Sequence, residues 1–435
     1  MKTFKLISGA VVILLALCYQ AALAGSNANI VKENQQDFLV LRGKVTDAES
    51  GSPLVFATVA VSGTNIAIVT NIDGEFTLKI AEEYLSKNLE ISYLGYKNKV
   101  LLLGSLKDNG YKNIISMEVA PIPIKEIIVK PVDPEEIVSK AISRITRNYE
   151  SVPNLMTAFY RETIRKNRAY ISIGEAVLEI FKAPYNSDVR FDATRVYKGR
   201  KSQDNQKLDT ILFKLQGGPV SVLELDIAKN SETILTLDAM KNYDYSLASV
   251  IEINGKPHYT IAFKQKPSVS IPLFVGKMYI DMNTSGITEA EFGFNLSDKD
   301  LAASIFIRKK PLGMDVTPEL ASYWVKYREQ NGKLYFEYSR AEVKFKVNWK
   351  KKLFNTYYTT MSEIAVTDRT AEEVIKFAGK EKIKYSDVFS EKVTAFTDPD
   401  FWGEYNVIEP DQSIESAIRK LSRKVKFNNM EDLQQ

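Results

Sequence analysis

The stretch GKVTDAESGSPLVFATVAVSGTNIAIVTNIDGEFTLKI, Gly43 to Ile80, decides the first part of the fold. Val59 and Val61 alternate with Thr58, Ala60 and Ser62, and Phe76, Leu78 and Ile80 alternate with Glu75, Thr77 and Lys79. Alternation of period two puts one side of a segment in a core and the other in water, as in a half-buried strand. Turn formers separate the runs: Glu49-Ser50-Gly51-Ser52-Pro53, Ser62-Gly63 and Asp73-Gly74. Inside this stretch, TNIDGEF (Thr70 to Phe76) poses a choice between a cation loop and a turn. A calcium loop needs oxygen ligands at positions 1, 3, 5 and 12 and glycine at 6. With Gly74 at the sixth place, Asn71 and Asp73 fall correctly, but Val69 and Ile80 put hydrocarbon at the first and last. Asp-Gly is favoured at tight turns because glycine accepts positive φ. Asp73 and Gly74 are therefore read as a structural turn, the tip of a hairpin entered by Ile66–Thr70 and left by Glu75–Ile80.

Outward from this stretch, residues 39–120 form a small β-sandwich of short strands. Pro121, Pro123 and Pro131 flank a short strand, Glu126 to Val129, within a linker spanning 121–154. A helix follows: Asp133 suits the N-cap, Pro134 the first helical position, and Glu136 a capping-box partner. Val138, Ala141, Ile142, Ile145 and Tyr149 share its apolar side, and Pro153 closes it. Residues 155–368 turn to strands again. Asn254-Gly255 and Asn331-Gly332 each join two apolar runs and mark hairpins, and Asn283-Thr284-Ser285-Gly286 marks a third turn. This region is an antiparallel meander too long for one simple sandwich, with a half-barrel as one form it can take. Val343, Phe345, Val347 and Trp349 alternate with Lys344, Lys346, Asn348 and Lys350, which reads as a core face and a solvated face rather than a membrane-contacting strand. In the tail, 369–435, Thr370 and Glu373 predict a capping box before Val374, Ile375 and Phe377, and Ile414, Ala417, Ile418 and Leu421 predict a last amphipathic helix. Phe396, Phe401, Trp402 and Tyr405 are expected to dock the tail on the β-rich region, ahead of a carbohydrate platform. The fold class is thus mainly β: sandwich, linker helix, larger antiparallel domain, C-terminal helices.

Residues 1–24 read as a signal peptide. Lys2 and Lys5 precede an apolar run from Leu6 to Leu17, and Ala22-Leu23-Ala24 offers small residues to a signal peptidase, with cleavage between Ala24 and Gly25. The run is short for a membrane span of about 20 residues. Leu17 before Cys18 is too large for a usual lipidation site. Export removes Cys18, the one cysteine, so the mature chain has no disulfide and no thiolate chemistry. A disulfide-free chain of 435 residues relies on its cores, and the expected place is a periplasm or outer-membrane-associated surface. The formal charge of +4 is too small for this length to suggest nucleic-acid binding.

Catalytic motifs are sparse. The single histidine, His258, rules against a multi-histidine zinc site and against a triad unless it serves alone, and no G-x-S-x-G elbow is present. Gly217-Gly218-Pro219 lacks the Lys-Ser/Thr of a phosphate loop. Two acids at the right separation suffice for a glycosidase, and Asp398, Asp400 and Glu404 lie among aromatics in FTDPDFWGEY. Asp398-Pro399 also reads as a helix start. No catalytic, metal or cofactor site is assigned.

Gly43-x-Val45, Asp47, Pro53-Leu54, Ala57-x-Val59-x-Val61, Gly63-Thr64 and Thr70-x-x-Asp73-Gly74-x-Phe76, continued by SYLGYK (Ser92 to Lys97), resemble the carboxypeptidase-regulatory-like domain. The resemblance implies a transthyretin-like sandwich over residues 41 to about 120 and an accessory role without peptidase activity. Similar domains precede TonB-dependent transporters of Bacteroidota-type bacteria, where Ile124 to Val129 resembles the joint to the plug; the plug and barrel are missing here. The tail DPDFWGEYNVIEP, Asp398 to Pro410, resembles that of exported proteins from such bacteria. GKMYIDMNTSGITEAEFGF, residues 276–294, resembles a strand-turn-strand of periplasmic lipoprotein-carrier-like half-barrels, which implies shelter for an acyl chain. The expectation is a non-catalytic cell-envelope protein whose sandwich docks and whose β-rich domain binds a protein complex or a hydrophobic ligand. A lipid carrier and a carboxylate glycan hydrolase are the alternatives.

Overall fold

A computed structural model describes residues 38–106, 112–120, 132–203, 217–230, 234–306, 313–349, 354–395 and 401–418. The signal-peptide residues, with Ala24 and Gly25, the linker strand at 126–129 and the acids Asp398 and Asp400 lie outside them.

Seven strands open the chain: β1 (Phe38–Asp47), β2 (Thr58–Val61), β3 (Ala67–Val69), β4 (Glu75–Ala81), β5 (Asn88–Ser92), β6 (Lys99–Leu102) and β7 (Lys112–Met117). They form two sheets, ordered β4-β1-β7 and β3-β2-β5-β6. Val59, Phe76, Leu78 and Ile91, the inward members of the alternating pattern, are buried with Leu41 and Val45 between the sheets. Each such side chain contributes roughly 1.5–3 kcal/mol through removal from water.

The expected hairpin at Asp73-Gly74 is a corner instead. β3 pairs with β2 while β4 joins β1, so the strands on either side of the turn belong to different sheets. The cause is local. Asn71 Oδ1 accepts from the amides of Asp73 and Glu75, both at 2.9 Å, and Thr70 Oγ1 links the Ala57 amide to the Leu54 carbonyl. These bonds turn the chain before a ladder can start. Gly74 has φ of 74°, and a Cβ there would stand 2.6 Å from the Val45 carbonyl oxygen.

The helix arrives as expected. α1 (Pro134–Ser143) is capped by Asp133, whose side chain accepts from the Glu135 amide at 2.9 Å, and a turn at Arg144 leads into α2 (Ile145–Asn148). The second meander then begins with β8 (Asn154–Lys166), β9 (Ala169–Lys182) and β10 (Ala193–Gln203). After the short α3 (Pro219–Leu223) come β11 (Tyr243–Ile253), β12 (Lys256–Gln265), β13 (Phe274–Asp281) and β14 (Ile287–Phe294). α4 (Lys299–Phe306), β15 (Met314–Gln330), β16 (Lys333–Trp349), β17 (Thr356–Thr370) and β18 (Thr394–Ala395) follow. Strands β8–β17 form one antiparallel sheet, ordered β11-β12-β13-β14-β15-β16-β17-β8-β9-β10, with the two-residue β18 added in parallel at the end. The sheet remains open. Asn254 and Asn331 adopt φ of 52° ahead of Gly255 and Gly332, the geometry expected of the two Asn-Gly hairpins. The β17–β8 ladder, from Thr370 opposite Leu155 to Tyr358 opposite Lys166, fuses the two meanders.

Both sides of this sheet are covered at its centre. On one, Ala158, Tyr160, Ala176, Leu178 and Ile364 pack against α1, α3 and the segment carrying Ile227, Ile234 and Leu235. On the other, Phe159, Val177, Tyr338 and Ala365 share a single core with the sandwich.

The helix expected after Thr370 is absent. Thr370 completes β17, Glu373 takes φ of 50°, which no α-helix tolerates, and residues 371–380 have no helical turn. Val374 and Phe377 pack as an irregular segment on Phe181, Ala183 and Ala193. Among the described residues of the tail, α-helix is confined to 412–418, where Ile414 is buried against Ile173.

Candidate functional site

The sandwich meets the large sheet along a seam held by rings, ion pairs and main-chain bonds. Phe56 stacks on Tyr338 with ring centroids 5.4 Å apart and meets Trp324 edge-on at 5.2 Å. The Arg340 guanidinium lies over the same ring at 5.1 Å. Phe56 adopts φ of 60°, a conformation unusual for a bulky residue and found where the surroundings impose it. Here its carbonyl accepts from Lys326 Nζ at 3.1 Å. Arg328 donates to the Asn65 carbonyl at 2.7 Å, and the Gly95 amide donates to the Glu252 carbonyl at 3.2 Å. The tail braces the sandwich too: Asn406 exchanges two hydrogen bonds with the Lys79 main chain, and Asp73 Oδ2 accepts from the Gln412 amide at 3.2 Å. Trp402 packs edge-on to Phe159 at 5.8 Å, and Tyr405 meets Tyr197 at 5.2 Å, so these tail aromatics lie on the sheet; Phe396 is outside the described residues.

Among the described residues, two clefts lie along the seam. The larger, about 250 Å³, is bounded by β2 and the following turn, by Glu90 and Tyr93 of the sandwich, and by the sheet residues Glu289, Lys326, Arg328 and Glu337. Glu289 is buried and accepts from Trp324 Nε1 at 2.7 Å. Its pKa rises to about 7: burial is the main cause, the Glu291 and Glu337 charges add to it, and Lys326 and the Trp324 bond oppose it. Glu337 is also buried; Thr58 donates to its Oε2 at 3.3 Å, while its Oε1 accepts no hydrogen bond. Arg328 Nε stands 3.9 Å from that oxygen, too far for a hydrogen bond.

The smaller cleft, about 200 Å³, lies among Phe56, Asn71, Arg161, Arg340, Glu363 and Asp411. The arginines that line it are paired with carboxylates. Arg161 pairs with Glu175 at 2.9 Å and Glu363 at 3.4 Å, and donates to the Ile408 carbonyl at 2.7 Å. Arg340 pairs with Glu363 at 3.1 Å and Glu342 at 3.0 Å, and Arg200 with Glu175 at 3.0 Å. Tyr338 donates to Glu363 at 2.8 Å. This ladder joins β8, β9, β10, β16 and β17 beneath the tail and acts as an electrostatic staple.

A second buried network lies under the opposite side of the sheet. Lys182 pairs with Asp192 and Asp226, both at 2.6 Å, and Lys229 pairs with Asp192 at 2.5 Å. Tyr327 donates to Asp226 at 2.8 Å and accepts from the Ala228 amide at 3.1 Å. Burial works against the charge on Lys182, but the two aspartates outweigh it and hold its pKa above the usual lysine range. Burial and Lys182 bring Lys229 down to about 8, against the pull of Asp192. The network pins the segment after α3 over the apolar side of the sheet.

The sequence-derived candidates are distributed elsewhere. Asp73 and Gly74 sit at the sheet-to-sheet corner, with Asn71 and Asp73 oxygens engaged by main-chain amides. His258 is buried on β12; its Nδ1 contacts the Lys256 carbonyl at 2.9 Å, and burial lowers its pKa. Glu404 is exposed. Among the described residues no group of three His, Cys, Asp or Glu side chains is placed to hold a metal ion. No described helix is long and apolar enough to cross a membrane. Glu289 and Glu337 were missed because single acids in strands read as members of a solvated face; for Glu337 the flanking Phe336 and Tyr338 are the available signal, and Glu289, between Thr288 and Ala290, has none.

Residues 41–129 match the family model described as the CarboxypepD_reg-like domain. The sandwich is a carboxypeptidase-regulatory-like domain. The match covers less than a quarter of the chain, and it indicates no catalytic family. No curated protein matches the sequence. Among solved structures, the chain is similar to a DUF1329 family protein from Desulfovibrio piger at 13% identity, over 56% of this chain and 96% of that one, with a TM-score of 0.25. It is similar to lipovitellin, in a structure titled for its lipid–protein interactions, at 8% identity over 55% of this chain and 28% of that one, with a TM-score of 0.26. The seam shows how the regulatory-like domain is used here: it is one wall of the large sheet's clefts.

Proposed function

We propose that this chain is a non-catalytic, exported cell-envelope protein that binds a partner at the seam between its regulatory-like domain and its large sheet. The observation that carries this reading is the common core. Phe56, on the sandwich, packs directly on Tyr338 and Trp324 of the sheet, and the buried cluster runs on through Phe159 and Val177 to Trp402. A domain docked in this way is a fixed wall for a site, not a swinging spacer. Glu363 and Glu342 of the smaller cleft hold arginines, which supports a structural use of those carboxylates. Export is supported by the N-terminal pattern of Lys2, the apolar run and Ala22-Leu23-Ala24.

A hydrophobic ligand held on the other side of the sheet, the carrier reading, has to displace the segment bearing Val222, Leu223, Ile227 and Ile234, which fills that side. The seam is open without such a rearrangement and is preferred. Photo-crosslinking tests the proposal. A photoreactive residue at Ser62, on the cleft, is expected to capture a defined envelope partner that one at the exposed Phe354 does not. Capture of lipid alone would replace this reading with a carrier. Equal capture from both positions would overturn it.

A further inference from the structure

We propose that the larger seam cleft is a recognition site for a protonated amine, with Glu289 and Glu337 as its anionic floor. This rests on the reading of the seam as the binding site and names the chemistry it recognises.

The hydrogen-bond accounting points to a donor-rich, cationic ligand. A carboxylate accepts about four hydrogen bonds when ionised. Glu289 has the Trp324 indole at 2.7 Å. Glu337 has the Thr58 hydroxyl at 3.3 Å on one oxygen and no hydrogen bond on the other, which is buried. The one ammonium on the floor, Lys326, is directed to the Phe56 carbonyl and Thr58 Oγ1, both at 3.1 Å. Arg328 donates to the Asn65 carbonyl and reaches Glu337 at 3.9 Å. At the mouth, Lys256 is paired with Glu329 at 2.6 Å, and Glu90 accepts from Asn98 at 3.0 Å. So the two acids receive the Trp324 indole and the Thr58 hydroxyl, with Arg328 at ion-pair distance from Glu337, while Lys326 and Lys256 are hydrogen-bonded elsewhere. A buried carboxylate oxygen without a donor is costly, and a ligand that supplies one removes that cost.

The charge balance agrees. The groups facing Glu289 are Lys326 and Trp324 of β15, Glu291 of its own strand, Tyr279 of β13, Glu337 of β16, and Tyr93 of the sandwich. With Arg328 at ion-pair distance from Glu337, the three carboxylates Glu289, Glu291 and Glu337 face two cations, Lys326 and Arg328. Burial raises the Glu289 pKa to about 7, so near neutrality the site relieves its excess negative charge by holding a proton there. An ammonium group entering the cleft takes that proton's place. The volume, about 250 Å³, suits one amine-bearing side chain or a short diamine. Tyr93 lines the same wall.

The test is calorimetric titration of the mature chain at pH 6.5 with putrescine and, separately, with the peptide acetyl-Gly-Lys-Gly-amide, each in two buffers of different ionisation enthalpy. Binding with proton release is expected, and Glu289→Gln is expected to weaken it by about tenfold and abolish the release. Glu337→Gln is expected to weaken binding with the release retained. Putrescine binding alone assigns a small diamine as the source; peptide binding alone assigns a lysine of a partner protein. No heat with either probe, from protein whose circular dichroism is native, would overturn the amine assignment. If Ser62 crosslinking still captures a partner in that case, only the chemistry of the ligand is wrong; if both fail, the seam is not the binding site.

Discussion

Replacing Glu289 by Gln is expected to stabilise the protein at alkaline pH and leave it nearly unchanged at acid pH. The carboxyl titrates at about 7 in the fold against an ordinary 4.5. The folded state therefore binds more protons than the unfolded chain between those values, and its stability falls as pH rises through that window. At 1.36 kcal/mol for each pKa unit, ionised Glu289 costs about 3 kcal/mol at pH 8. Most of that cost is already absent at pH 5, so the gain of Glu289→Gln over the native chain grows by roughly 2–3 kcal/mol from pH 5 to pH 8. The amide keeps an oxygen for the Trp324 indole, so little packing changes. Glu162, buried with only a Tyr160 hydrogen bond of 2.8 Å opposing its burial, also rises to about 7, but it is present in both proteins and cancels. Urea titrations of both proteins at the two pH values measure the difference. A gain independent of pH, or one larger at pH 5, would refute the assignment of an uncompensated carboxyl at the seam.

Three further substitutions probe separate parts of the structure. Gly74→Ala forces a Cβ within 2.6 Å of the Val45 carbonyl oxygen at φ of 74°, and a loss of about 2 kcal/mol or more is expected in chemical denaturation. Lys182→Met leaves Asp192 and Asp226 without their shared ammonium and is expected to cost about 3–5 kcal/mol, read as a fall in the urea midpoint. Phe56→Ala empties the ring position between Trp324 and Tyr338; it is expected to cost about 3–5 kcal/mol and to make the seam sensitive to limited proteolysis.

The parts of this fold that are written locally were legible in the chain. Period-two alternation and the Asn-Gly pairs located strands β11, β12, β15 and β16, and Asp133-Pro134 located α1, because turn and cap chemistry acts over a few residues. What required distant partners was not legible. The β17–β8 ladder joins residues about two hundred positions apart, and no local feature of Thr370 announces it. That same ladder overrode the Thr370–Glu373 capping signal, since Thr370 is held as a strand residue opposite Leu155. The Asp73-Gly74 turn was recognised, but its sheet-to-sheet role was hidden because a corner and a hairpin use the same dipeptide. Nor did the acids of the seam stand out. Glu289 alternates as a solvated residue would, and it is buried among groups brought from β15, β16 and the sandwich.

The claim on which the rest depends is that sandwich and sheet form one block whose seam is a built site. Native-state hydrogen exchange of the protein in low urea tests this most directly, by comparing amides of β2 and β5 with those of β8 and β17. The expected result is a common opening free energy for both groups, lowered in both by Phe56→Ala, because a shared core opens as a unit. Exchange of the sandwich amides through a separate, lower-energy opening that leaves the sheet amides protected and ignores Phe56→Ala would contradict it.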